Sequence, residues 1–164
     1  MTGRAALAPG RGRRWPHPGL FLAALDLVGL GIASYLSFVE LRGELPQCGP
    51  LQGCEEVALS QWSRIGGVPV AVFGVGLSLV LLTLALAWWR TNDGRLLAAH
   101  YGLSLVGVLF ELWFTYLELF VIQAVCVWCA AYGISLVLRF LVALRIWVTR
   151  DRYADRARSG DLPS

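Results

Sequence analysis

Between Leu96 and Val148 the sequence is apolar almost without a break. As one helix rising 1.5 Å per residue, that stretch would be about 80 Å long, against about 30 Å of hydrocarbon in a bilayer. It has to fold back once, and Glu118 and Gln123 place the reversal near 119–124. Two earlier runs are also long enough to cross: one from Leu20 to Leu41, interrupted by Asp26, and an uncharged one from Val68 to Trp89. A hydrophobic fraction of 57% with only 15% charged residues excludes a disordered chain and argues against a soluble globular domain. The expected fold is an all-α integral membrane bundle of four helices at about 20–41, 68–89, 96–119 and 124–148. An external loop, 42–67, carrying a short helix, caps it.

The arginines set an orientation. All fourteen basic residues are arginine. Arg4, Arg11, Arg13 and Arg14 precede the first span, Arg90 and Arg95 separate the second from the third, and Arg145, Arg150, Arg152, Arg156 and Arg158 follow the fourth. Arg42 and Arg64 alone fall in the 42–67 loop, and Arg139 lies within a span. The positive-inside rule then puts both termini in the cytoplasm, as a multi-pass protein of the cell (inner) membrane. Charge gathered at span ends is topological rather than a nucleic-acid surface. Residues 1–19 and 149–164 are expected to be cytoplasmic tails, unstructured over 1–14 and from 149 onward. The first run is too long for a cleaved signal peptide, and no small-residue cleavage site follows it.

In that topology all four cysteines face outward. Cys48 and Cys54 lie in the external loop, while Cys126 and Cys129 open the fourth span. The outside is where disulfides persist. Cys126-Val127-Trp128-Cys129 has the dithiol spacing of redox proteins. A thiol in the first turn of a helix meets the positive end of the helix dipole, which favours the attacking thiolate. Two static disulfides or a zinc site are the competing readings. The small C-x-x-C loop gains little as a staple, and no histidine lies outside to complete a metal set. Two pairs within reach fit a relay by thiol–disulfide exchange. A non-catalytic four-span scaffold is the alternative in another class.

Cys48-x5-Cys54, Ser60, Gly67-Val68-Pro69, Thr115-Tyr116-Leu117-Glu118 and Cys126-x-x-Cys129, in that order, resemble the vitamin K epoxide reductase family, particularly its bacterial members. The resemblance covers about residues 20–148. Quinone reductases of the DsbB type carry their C-x-x-C in the first external loop, so the order differs from theirs. The resemblance implies an enzyme that oxidises a separate extracytoplasmic thioredoxin-fold (DsbA-like) thiol protein and passes the electrons to a membrane quinone, menaquinone or ubiquinone. Cys48 would exchange with the partner, Cys54 would hand electrons to Cys126, and Cys129 would face the quinone, with Ser60 near that site. The ring would lie among Cys129, Phe73, Leu77, Phe114 and Ile122. The animal enzymes have an asparagine near Val70 and a tyrosine where this chain has Gly133, with Tyr132 beside it. Those departures favour quinone over epoxide as the acceptor.

The remaining polar residues have structural expectations. Asp26 and His100 are at similar depth and could pair, as could Glu111 and Arg139 on adjacent spans; Glu111 is also a possible proton donor to quinone. Gly29, Gly31, Gly74, Gly76, Gly102 and Gly107 are expected to permit close helix packing. Trp15, Trp88, Trp89 and Trp147 are expected at the inner interface. Trp62 would seat the loop helix, and Trp128 would shape the dithiol.

Overall fold

The computed structural model describes residues 16–48 and 53–159, with side-chain detail for residues 18–48 and 53–149. The expected tail over 1–14 and Trp15 lie outside the described residues. Helix α1 spans Pro16–Leu41, a short α2 spans Gly53–Leu59, and a 3-10 turn covers Gln61–Ser63. Strands β1 (Arg64–Ile65) and β2 (Val68–Pro69) form a hairpin, followed by α3 (Val70–Thr91) and α4 (Gly94–Tyr116). α4 continues as a π-helical turn, Leu117–Ile122, and α5 covers Val127–Ser159. Four helical segments are long and apolar enough to cross a membrane: Pro18–Leu41, Val70–Thr91, Gly94–Ile122 and Val127–Thr149. The protein is a multi-pass, all-α membrane bundle. In hydrocarbon every backbone N–H and C=O needs a protein partner, and a helix supplies them all within one segment, which suits apolar runs of this length.

Local chemistry sets the reversals. α3 ends at Asn92, in the left-handed region at φ 59°, whose N–H donates to the Trp88 carbonyl. Asp93 then caps α4, its side chain accepting from the Arg95 N–H at 2.9 Å, and the two-residue link makes α3 and α4 antiparallel neighbours. At the opposite end the π turn stops at Gln123, also left-handed at φ 58°. The Gln123 and Ala124 N–H groups both donate to the Glu118 carbonyl. The β hairpin turns on Gly66 and Gly67, both at positive φ (61° and 85°), the type I′ geometry that a two-residue hairpin prefers. It pairs Arg64 with Pro69 and Ile65 with Val68.

Three layers stack along the bundle. At the end with the α3–α4 link, Leu22, Ala23, Ala85, Trp88, Leu97 and Ala143 form an apolar cluster. At the loop end, Cys54, Val57, Phe114, Leu117, Ala124 and Cys126 form another. Between them lie the buried polar side chains of Asp26, Ser78, His100, Ser104, Ser135 and Arg139. Large apolar side chains such as Leu27, Phe38, Leu112, Trp113 and Phe120 point outward, as lipid-facing residues do.

Several expectations need correcting. α5 runs unbroken to Ser159, so the expected unstructured stretch from 149 is helix over most of its length. Trp88 is a core residue rather than a boundary one; Trp89 is exposed. Of the six glycines, a Cβ at Gly29, Gly74 or Gly107 would meet a neighbouring helix, whereas Gly31, Gly76 and Gly102 face open space. Arg139 does not pair with Glu111. Its Nη1 lies 3.5 Å from Asp26 Oδ1, because Gly29, one turn along α1 from Asp26, leaves the gap that the guanidinium fills. The expected Asp26–His100 pair is present at 3.2 Å.

Candidate functional site

The chain after α1 returns across the end of the bundle and brings Cys48 against Cys54 in α2. The two are joined by a disulfide with Cα atoms 5.9 Å apart. α2 docks on the start of α5 through Gly53: any Cβ there would collide with the Val125 backbone, so only glycine allows this approach. The docking carries Cys54 into the apolar cluster with Phe114, Leu117 and Cys126. A second tether comes from Trp128, whose indole N–H donates to the Gln47 carbonyl at 3.0 Å while its ring packs on Tyr35 at 4.8 Å.

Cys126 and Cys129 are free thiols. Cys126 stands where α5 begins and acts as its cap, its sulfur accepting from the Cys129 N–H at 3.3 Å. A hydrogen bond from the Cys129 thiol holds the Cys126 thiol below its ordinary value; burial opposes this, and the Cys129 N–H reinforces it. The sulfurs of Cys48, Cys54 and Cys126 lie within 4.8 Å of one another. So do the sulfurs of Cys126 and Cys129 and a carboxylate oxygen of Glu118.

Beneath the dithiol is a cavity of about 330 Å³, a volume found for small-molecule sites. Its wall includes Cys126, Cys129, Phe73, Leu77, Phe114 and Tyr132. The few polar groups on it are Glu40, Ser63, Glu111 and Tyr132. The Tyr132 hydroxyl donates to the Gly74 carbonyl at 3.0 Å and lies 3.2 Å from Ser78 Oγ. Ser78 in turn is 3.4 Å from Arg139 Nη1, so the cavity wall is hydrogen-bonded to the polar middle layer. Glu111 fits beside Gly133, where a Cβ would stand 2.7 Å from its Oε1.

The structure thus gathers all four cysteines and places Phe73, Leu77, Phe114 and Cys129 on one cavity. Ile122 is not on that wall; it packs against the Cys54–Cys126 cluster. Ser60 is also off the wall, its hydroxyl donating to the Val57 carbonyl at 2.8 Å. Ser63, which donates to the Ala58 and Ser60 carbonyls, lines the cavity instead. Nothing in the local sequence distinguishes the two serines, because the 3-10 turn between them decides which faces inward. Glu118, which the sequence showed as a polar residue near a reversal and as the end of the Thr115-Tyr116-Leu117-Glu118 run, with no role at the dithiol, proves to be buried beside both thiols.

Residues 20–144 match the model of the vitamin K epoxide reductase family. No curated protein matches the chain.

Proposed function

Given that the chain belongs to the vitamin K epoxide reductase family, and so is a membrane oxidoreductase acting on disulfides, we propose that it moves electrons from a protein dithiol to a membrane quinone. One observation carries the reading: three sulfurs from two different pairs, those of Cys48, Cys54 and Cys126, lie within 4.8 Å of one another. A static staple needs only two. Cys48 and Cys54 are joined and Cys126 and Cys129 are free, so the two pairs can stand at different oxidation levels side by side.

The cycle follows from exchange chemistry, in which a thiolate attacks one sulfur of a disulfide and displaces the other. A thiolate of a reduced thioredoxin-fold partner attacks Cys48 and releases Cys54; the partner's second thiol then frees Cys48 and leaves the partner oxidised. Cys54 attacks Cys126 in the oxidised inner pair and releases Cys129. Cys48 closes on Cys54, which restores the outer disulfide and leaves Cys126 and Cys129 reduced. Their two electrons and two protons then pass to quinone. The apolar walls from Phe73, Leu77 and Phe114 suit a flat hydrophobic ring, and the Tyr132 hydroxyl and Glu111 carboxyl supply polar contacts at its edge. A strongly oxidising partner, at about −120 mV, needs an acceptor of higher potential, which quinone supplies and a glutathione pool does not. Arginine placement supports an orientation with the cysteine end outside the cell membrane and both termini in the cytoplasm.

The test is a trap. In the Cys48→Ser/Cys129→Ser protein neither remaining cysteine has its resolving neighbour, so a Cys54–Cys126 disulfide accumulates under oxidising conditions. Non-reducing proteolysis then joins a loop peptide to an α5 peptide. Absence of that peptide overturns the electron path.

A further inference from the structure

When the inner dithiol is oxidised, Cys129 has to lose a proton at a half-buried position against the apolar cluster. Three groups stand close enough to matter. Cys126 accepts a hydrogen bond from Cys129 but becomes the other half of the new bond. Glu111, seven residues before Glu118 along the chain, lines the cavity. Glu118 is the third. It is 3% exposed, its carboxylate faces the Cys129 thiol and the Cys126 backbone N–H, and an oxygen lies within 4.8 Å of both sulfurs. Its Oε1 is buried without a hydrogen-bond partner among the described residues. A buried acceptor left open in this way is costly, and no cation among the described residues pairs with it.

The local backbone puts it there. An ordinary α-helix would carry residue 118 around on the 3.6-residue period. The π turn over Leu117–Ile122 widens the helix at this point, as such turns frequently do at functional sites. The left-handed Gln123 then reverses the chain, so that residues 124–126 return past Glu118, with Ala124 donating to its carbonyl at 3.0 Å.

We propose that Glu118 is the general base of the inner dithiol: its carboxylate takes the Cys129 proton as the Cys126–Cys129 bond forms. The inference rests on the reading above only in taking that dithiol to be redox-active. In the reaction with quinone, the S–S bond forms as two S–H bonds break. Two electrons pass to the quinone and both thiol protons end on the quinol oxygens, that of Cys129 by way of the Glu118 carboxyl. The same proton has to leave in any reaction that closes the inner disulfide, including resolution of a mixed disulfide on Cys126.

Dithiodipyridine provides that second reaction with the full-length protein. Attack by Cys126 releases one coloured thiopyridone, and attack by Cys129 on the resulting mixed disulfide releases the other. In Glu118→Gln the first release is no slower, because the charge that opposes the Cys126 thiolate is gone, and the second slows about a hundredfold, the low end of what a positioned base contributes. Glu118→Asp, which retains the carboxylate, falls between the two. Retention of the Cys48–Cys54 disulfide and of a cooperative melt shows that the variant is folded. A purely structural Glu118 would leave the ratio of the two rates unchanged, and a merely repulsive one would make the second release faster on neutralisation. Either result overturns the proposal. Resolution involves no quinone, so a wild-type protein inert toward quinone overturns the functional reading alone. A Glu118→Gln protein that resolves at the wild-type rate overturns this one.

Discussion

Replacing Arg139 with methionine should destabilise the bundle more than any other single change to a residue off the cavity wall. The guanidinium is fully buried and ties three helices together. Nη2 donates to Ser135 Oγ at 2.7 Å and Nε to the Ser135 carbonyl at 3.1 Å. Nη1 reaches Ser78 Oγ at 3.4 Å and Asp26 Oδ1 at 3.5 Å. Methionine fills much of the same volume, so the loss is electrostatic rather than a cavity. Asp26, itself fully buried, keeps only His100 at 3.2 Å. Removing one member of a buried ion pair costs about 3–5 kcal/mol, because the other charge is left uncompensated. For a chain of this length, at about 2–4 °C per kcal/mol, the expected fall in melting temperature is about 6–20 °C. Thermal unfolding in micelles, followed by tryptophan fluorescence, measures it. The companion Asp26→Leu/Arg139→Met protein removes both charges and should recover most of the loss, since apolar replacement of a whole buried pair is often neutral or stabilising. If Arg139→Met melts within about 1 °C of wild type, or the double variant is the less stable, the ion pair does not hold this layer together.

Two further outcomes follow from the site. Because the Cys129 thiol holds Cys126 below its ordinary value, Cys126 retains thiolate to lower pH than a free cysteine. Cys129→Ala removes that donor and leaves the burial, so the midpoint of iodoacetamide alkylation at Cys126 should move to higher pH; an unmoved or lowered midpoint contradicts the assignment. Trp128→Phe keeps the contact with Tyr35 but loses the 3.0 Å bond to Gln47, worth about 0.5–1.5 kcal/mol. Reduction of Cys48–Cys54 by dithiothreitol should then quicken by about two- to tenfold, and an unchanged rate means that the indole does not restrain the loop.

The spans were legible because lipid allows an apolar run few choices, and the cysteine pairs because their spacing itself encodes chemistry. What escaped the sequence depends on geometry without periodicity. Glu118 precedes Cys126 by eight residues, and it meets the dithiol only through a π turn and a left-handed Gln123. Arg139 found Asp26, 113 residues away, instead of Glu111 on the adjacent span, because the space opened by Gly29 outweighed the apparent match of charges between α4 and α5. Ser63 replaced Ser60 on the cavity wall through the hand of a single 3-10 turn.

The cavity wall also has an outward side. Phe73 on α3 and Val106 and Phe110 on α4 line it while remaining 51%, 61% and 43% exposed. These side chains belong to membrane-spanning helices, so the medium they meet is acyl chain rather than water. A lipid-soluble occupant would therefore arrive sideways from a two-dimensional reservoir, and its occupancy would follow its mole fraction in the lipid, not its aqueous concentration. Diluting the protein with detergent at constant total ligand should empty the site, and returning it to a small lipid disc should refill it with no change in any contact.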